Sequence, residues 1–261
     1  TETVSFAQGD LMMVGAFSGL AAMTMLGFPF WIAVPSAIVA MGIFGVLLER
    51  LVIRPILGQP AFSIVMLTIG VGYVLRGLIT MIPDVGTDTH TLPTPYAGEV
   101  LRIGGLVIAA EQMVVIGATG ILCLALFAMF KYSKLGIAMQ AASQNQLAAY
   151  LNGVRVKRVN SMVWALGGVT AAFAGVLLAP ITLVDISLWF VTLKALSALV
   201  LGGFGSIPGA IVGGLLIGLI EQYAGVYMPD GTKDIVAYLV LIAVLIVRPH
   251  GLLGEAHGRR V

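Results

Sequence analysis

Long apolar runs separated by short polar clusters fill most of the chain. They cover Leu11–Phe28, Phe30–Ile53, Ala61–Ile82, Ala110–Phe130, Ser161–Ala179 and the shorter Leu188–Leu201; past a glycine-rich break come Ile207–Val226 and Ile235–Val247. In lipid, backbone amides and carbonyls must be satisfied internally, so runs of this length predict helices. A barrel would instead show short alternating segments. The pattern predicts an all-α membrane protein, a polytopic helical bundle forming one transmembrane domain over residues 1–261. Gly15/Gly19, Gly209/Gly213 and Gly214/Gly218 recur at helical spacing and predict close helix–helix seams.

Two polar segments interrupt the spans. Residues 84–105 contain Pro93, Pro95 and several threonines and predict an irregular loop or a small hairpin. Residues 131–160 are too polar to span. Their middle, Ala138–Leu151, is rich in Ala, Gln and Leu, good helix formers, and Gly153 would stop the helix. A short helix lying across one membrane face is expected there.

Composition agrees with the pattern. Of 261 residues, 59% are hydrophobic and 10% charged, with a mean hydropathy of +1.04. Soluble domains carry about 25% charged residues, so lipid is the solvent, and at about 20 residues per span the length allows roughly eight spans. The one cysteine, Cys123, lies in an apolar run and reads as a small buried hydrophobe. The histidines, His90, His250 and His257, fall in loops or the tail, where solvated roles are expected.

Positive charge sets an orientation. Alternating the spans puts Arg50, Arg54, Lys131, Lys134, Arg155, Lys157, Arg158, Arg248, Arg259 and Arg260 on one side. The other side keeps Arg102 and Lys233 beside Asp84, Asp88, Glu99, Asp185, Asp230 and Asp234. The positive-inside rule makes the first side cytoplasmic, with the C-terminus and residues 131–160 inside and the 84–105 loop outside. Trp31, Trp189, Tyr223 and Tyr227 then fall near the outer interface, and Trp164, Tyr132 and Tyr150 near the inner one.

Candidate chemistry is sparse. There is no Ser/His/Asp set and no GxxxxGK loop; Gly202–Gly205 (GGFG) lacks the lysine. An enzyme is not expected. Ionisable residues in apolar runs cost about 2.5–3.5 kcal/mol each on insertion scales, and they suggest an aqueous path or a buried ion pair. Glu49 reads as interfacial, and Glu111 and Glu221 as near enough to the outer surface to be hydrated. Asp10 and Lys194 adjoin breaks, as do Phe6 and Gln8 on one side and Gly202, Gly203, Phe204, Gly205 and Ser206 on the other. A broken helix leaves backbone groups that only protein or water can cover, so these residues are expected to line a translocation route near mid-membrane, with Phe204 as an apolar plug. The two breaks resemble one another, which suggests an inverted internal repeat.

Four segments in order carry a family resemblance over nearly the whole chain. SFAQGDLMMVGAF is similar to the NFAHGDLLMLGAY-type segment of branched-chain amino acid permeases of ABC importers. LVLGGFGSIPGAIVGGLLIGLIE resembles the late segment of that family, MQAASQNQLAAYLNGVRVKRV its cytoplasmic coupling segment, and VRPHGLLGE its RPxGLFG ending. The importer signature EAA with a later glycine reads Leu147-Ala148-Ala149 and Gly153 here, so the acid is absent. The family also has a hydrophobic helix before the first motif; the sequence opens just before that motif, so the helix is expected to be trimmed, disordered or missing.

The resemblance implies a permease subunit in the bacterial inner membrane that pairs with a second homologous permease. Two cytoplasmic ATPase subunits would dock beneath it, carrying ATP and Mg themselves, and a periplasmic binding protein would deliver the solute. The chain would hold no cofactor and no metal, and would contact lipid but no nucleic acid. Gln140, Ala141, Gln144, Gln146, Leu147, Ala148, Ala149, Leu151 and Gly153 would form the ATPase-coupling surface. Branched-chain amino acids are the leading solute, with urea, amides or aromatic acids as alternatives. A stand-alone channel or ion-coupled carrier, using Asp10, Arg76 and Lys194 as a relay, is the reading from another class. It has no need of a docking helix.

Overall fold

The computed structural model describes residues 5–56, 58–83, 85–103, 106–229, 231–248 and 251–254. These residues fall into two compact units, Thr1–Trp189 and Phe190–Val261. The expectations placed on Asp84, Gly105, Asp230, His250, His257, Arg259 and Arg260 lie outside the described residues.

The first unit is built around a long helix. Helices α1 (Gln8–Thr24), α2 (Phe30–Leu48) and α3 (Ala61–Thr80) are followed by α4 (Ala110–Tyr132), two short helices α5 (Lys134–Gln144) and α6 (Gln146–Leu151), and α7 (Val156–Thr182). α7 packs against both α1 and α2. The approach is close because backbone meets backbone: a side chain at Gly175 would collide with the Met12 carbonyl, and one at Gly168 with the Met41 carbonyl. Gly15 likewise lies against Ala172, so the Gly15/Gly19 seam forms as expected.

α1 also meets α3 in parallel. The Phe6 amide donates to Thr68 Oγ1 at 3.3 Å, and Asp10 reaches Gly72 and Arg76 one and two turns further on. Thr68 is about 10 Å up a helix of about 30 Å, at roughly 1.5 Å per residue. The segment Phe6–Asp10 therefore starts α1 part-way along a full-length neighbour.

α2 does not stop at Leu48. It runs on through a π-helical turn, Glu49–Ile53, and a 3-10 turn, Arg54–Ile56. The polar loop contains strands β1 (Val100–Ile103) and β2 (Leu106–Ala109), paired antiparallel with Val100 opposite Ala109, which realises the small hairpin. His90 is tied down more than a solvated loop residue would be. Its amide donates to the Val184 carbonyl at 3.0 Å and Val184 returns the bond at 2.8 Å.

The second unit holds α8 (Val191–Gly202), preceded by a 3-10 turn at Ile186–Phe190, with α9 (Ile207–Tyr227) and α10 (Thr232–Val247). All three pack on one another around Ala198, Leu201, Ile217 and Ala237. Gly209 and Gly213 meet the Gly202 and Ala198 carbonyls across the α8–α9 seam, whereas Gly214 and Gly218 face open space and make no seam within this unit.

Among the described residues, five helical stretches are long and apolar enough to cross a membrane: Phe30–Ile56, Phe62–Thr80, Ala110–Tyr132, Val156–Thr182 and Ile207–Tyr227. α4 carries its apolar residues outward, with Ile116, Ile121 and Leu124 exposed, as a lipid-facing helix does. The protein is a membrane-embedded helical bundle.

Candidate functional site

Asp10 is the centre of the first unit's polar cluster. It sits in the first turn of α1 and is 2% exposed. Arg76 forks it, with Nε donating to Oδ1 at 2.6 Å and Nη2 to Oδ2 at 3.3 Å. Gly72 lies one turn below Arg76 on α3, and any side chain there would strike the Asp10 carboxylate. The guanidinium also lies over the Trp189 ring, 3.8 Å from its centroid, and near the Tyr73 ring at 4.9 Å. Phe6 and Gln8 are half-buried beside this cluster, and Gln8 Nε2 donates to the Gly167 carbonyl at 3.0 Å.

The break in the second unit has different geometry. α8 ends at Gly202, Gly203 and Gly205 take left-handed φ of 103° and 83°, and Ser206 caps α9 by accepting from the Gly209 amide at 3.0 Å. Phe204 is 49% exposed on this turn. The carbonyls at the end of α8 do not need a water-filled route. Leu252 donates to Leu201 at 2.8 Å and Leu253 to Gly202 at 3.0 Å, with Gly251 pressed on Gly203. α9 begins at this turn and runs 21 residues, about 31 Å, and is one of the stretches long and apolar enough to cross a membrane. Lys194 lies two turns up α8 and faces Glu221 on α9, with Nζ 3.3 Å from Oε1. Glu221, expected to be hydrated, is thus part of an ion pair.

The segment expected to be one coupling helix is two. Asn145 adopts an extended conformation (φ −155°, ψ 105°) and caps α6 through its side chain, accepting from Ala148 N at 3.0 Å. A local capping residue here outweighs the helix-forming composition around it. Ala149 packs inward with Met139, Ala142 and Val159, and Ala141 is half-buried against them. Gln140, Gln144, Gln146, Leu147, Ala148, Leu151 and Gly153 are exposed, and so is Tyr150. Gly153 (φ 84°) ends α6 as expected.

Three groupings escaped the sequence. One is the direct pairing of Asp10 with Arg76, whose guanidinium also meets the Tyr73 and Trp189 rings. The second is Glu49, fully buried where an interfacial residue was expected: Arg54 donates to it at 2.7 Å, and so does the Ser161 hydroxyl at 2.7 Å. The third is the seat of the C-terminal Gly251–Leu253 on α8. In the loop before β1, burial and then the Glu111 carboxylate push the Tyr96 phenol above its usual value.

The family model described as "Branched-chain amino acid transport system / permease component" matches residues 1–245. The chain belongs to this family. It is similar to the high-affinity branched-chain amino acid transport system permease protein LivH of Escherichia coli (strain K12), 31% identical over 99% of this chain and 88% of that one. The corresponding BraD of Pseudomonas aeruginosa is 29% identical over the same shares. A probable LivH of Methanocaldococcus jannaschii is 24% identical over 97% of this chain and 84% of that one. No solved structure matches the chain. Membership places the α5–α6 arm, the glycine turn and the Asp10 cluster in a permease component.

Proposed function

We propose that the chain is a permease subunit of an ATP-driven ABC importer that moves branched-chain amino acids, or a related small solute, across a bacterial inner membrane. A periplasmic binding protein delivers the solute, a second homologous permease completes the membrane part, and two cytoplasmic ATPase subunits bind and hydrolyse ATP with Mg. The chain itself is the passage and the transmission, not the enzyme. The observation that carries this reading is the α5–α6 arm. It lies between two spans, packs through Met139, Ala142 and Ala149 on Val159 of α7, and presents Leu147, Tyr150 and Leu151 on its exposed side. A membrane protein with no partner at that face would gain nothing from exposed apolar side chains on a polar arm.

In this reading α6 and the exposed glutamines seat on the ATPases, the C-terminus faces the cytoplasm, and the 84–105 loop meets the binding protein. In the first unit, Phe6, Gln8 and Asp10 border the solute route. In the second, Phe204 on its glycine turn is the gating side chain, with Lys194–Glu221 holding α8 on α9. The binding protein selects, so the permease needs only weak contacts with its solute.

Purification of the tagged chain from its native membrane tests the assembly. It is expected to bring a second permease and two ATPase copies, with ATP hydrolysis stimulated by the loaded binding protein. A chain that purifies alone and passes solute without nucleotide would instead be the channel or carrier.

A further inference from the structure

Arg76 is not used up by Asp10. A guanidinium has five N–H donors in a planar fork. Asp10 engages one edge, through Nε and Nη2, and among the described residues no acceptor meets Nη1. Unpaired donors within a span are costly, so that edge must face water or a ligand. The burial is correspondingly unequal: Asp10 is 2% exposed, while the Arg76 side chain keeps 19%. Two aromatic rings lie against the guanidinium, Trp189 with its centroid 3.8 Å from Cζ and Tyr73, itself 67% exposed, at 4.9 Å.

We infer that the free edge of Arg76, framed by Tyr73 and Trp189, is a subsite for the carboxylate of a small amino acid with an apolar side chain. A carboxylate matches the planar fork. The aromatic faces offer apolar surface to an aliphatic side chain. Asp10 fixes the guanidinium in orientation and shares its charge, which keeps the hold on a passing anion weak. Urea and simple amides have no carboxylate to offer, so the subsite selects the amino-acid reading among the solutes the family motifs leave open. Arg76 lies about 22 Å along α3 from Ala61, at roughly 1.5 Å per residue. With the orientation proposed above, this is the outer half of the membrane, where solute enters. The inference rests on the importer reading and adds a contact to it.

The test uses the assembled transporter in nanodiscs without the binding protein. Trp31→Phe and Trp164→Phe leave Trp189 as this chain's fluorescent reporter. Leucine, 4-methylpentanoate (which lacks the amine) and leucinamide (which lacks the carboxylate) are titrated to tens of millimolar. Leucine and 4-methylpentanoate should give a saturable change in Trp189 emission, and leucinamide should be at least tenfold weaker. Arg76→Lys should weaken leucine at least tenfold, and the neutral pair Asp10→Asn/Arg76→Gln should abolish the response while remaining folded. Leucinamide as effective as leucine, or a neutral pair that responds as the wild type does, overturns the subsite. So does the absence of any response in a complex that takes up leucine, and that result leaves the importer reading intact. A complex that imports urea and not leucine overturns the amino-acid reading and the subsite together.

Discussion

Asp10 was visible in the sequence as a charge beside a break, and Arg76 as a member of the carrier reading's relay, but their direct pairing was not. Arg76 is 66 positions away. Nothing periodic in either segment says that the start of α1 will lie beside the middle of α3. The one signal available was Gly72, four residues before Arg76, where a neighbour needs room for its carboxylate. Glu49 failed the other way. Its place among cationic residues at a span end suggested hydration, and the π-helical turn instead folds Arg54 back over it. Removing one member of a buried pair strands the other, at about 3–5 kcal/mol when both are fully buried and less where one keeps solvent. Asp10→Asn should therefore lower the thermal stability of the purified protein clearly, by about 2–3 kcal/mol given the partial exposure of Arg76. Asp10→Asn with Arg76→Gln should recover most of that loss. Equal melting of single and double variants would show that the pair does not hold α1 on α3.

At the scale of elements, the spans were legible because lipid imposes one solution on the backbone, and the long runs from Phe30 to Val247 became helices with small shifts at their ends. The arm was legible in place but not in shape. Ala, Gln and Leu over 138–151 read as one helix, and only the side-chain cap of Asn145 reveals two. That division decides which residues a partner can touch. Leu147→Asp with Leu151→Asp should leave the protein folded and uncouple ATP hydrolysis from uptake, read as a fall of at least tenfold in solute moved per ATP. Ala149→Asp should instead disrupt the packing with Met139 and Val159 and lower the yield of folded protein. Normal coupling in the double leucine variant would remove the arm as the docking surface. The α8–α9 turn was legible as a break, but what satisfies its carbonyls was not, because the partners come from Leu252 and Leu253, some fifty residues on. Phe204→Ala, with the backbone turn preserved, should raise basal ATPase activity or solute leak several-fold in the assembled complex. Unchanged leak and ATPase would mean that Phe204 only packs.

For the whole molecule, the lysine and arginine pattern predicts a cytoplasmic C-terminus and an external 84–105 loop. In a Cys123→Ala background, Thr89→Cys should react with a membrane-impermeant maleimide added outside to intact cells, and Arg259→Cys should not; the reverse would invert the topology. Function was legible chiefly through motifs shared with a family, because the chain carries no catalytic constellation of its own to read. The most direct measurement is uptake of radiolabelled leucine into proteoliposomes containing the full complex, with the binding protein outside and ATP enclosed. The account predicts accumulation above the external concentration that needs both ATP and the binding protein. Leucine that merely equilibrates, at the same rate with or without enclosed ATP, would contradict it.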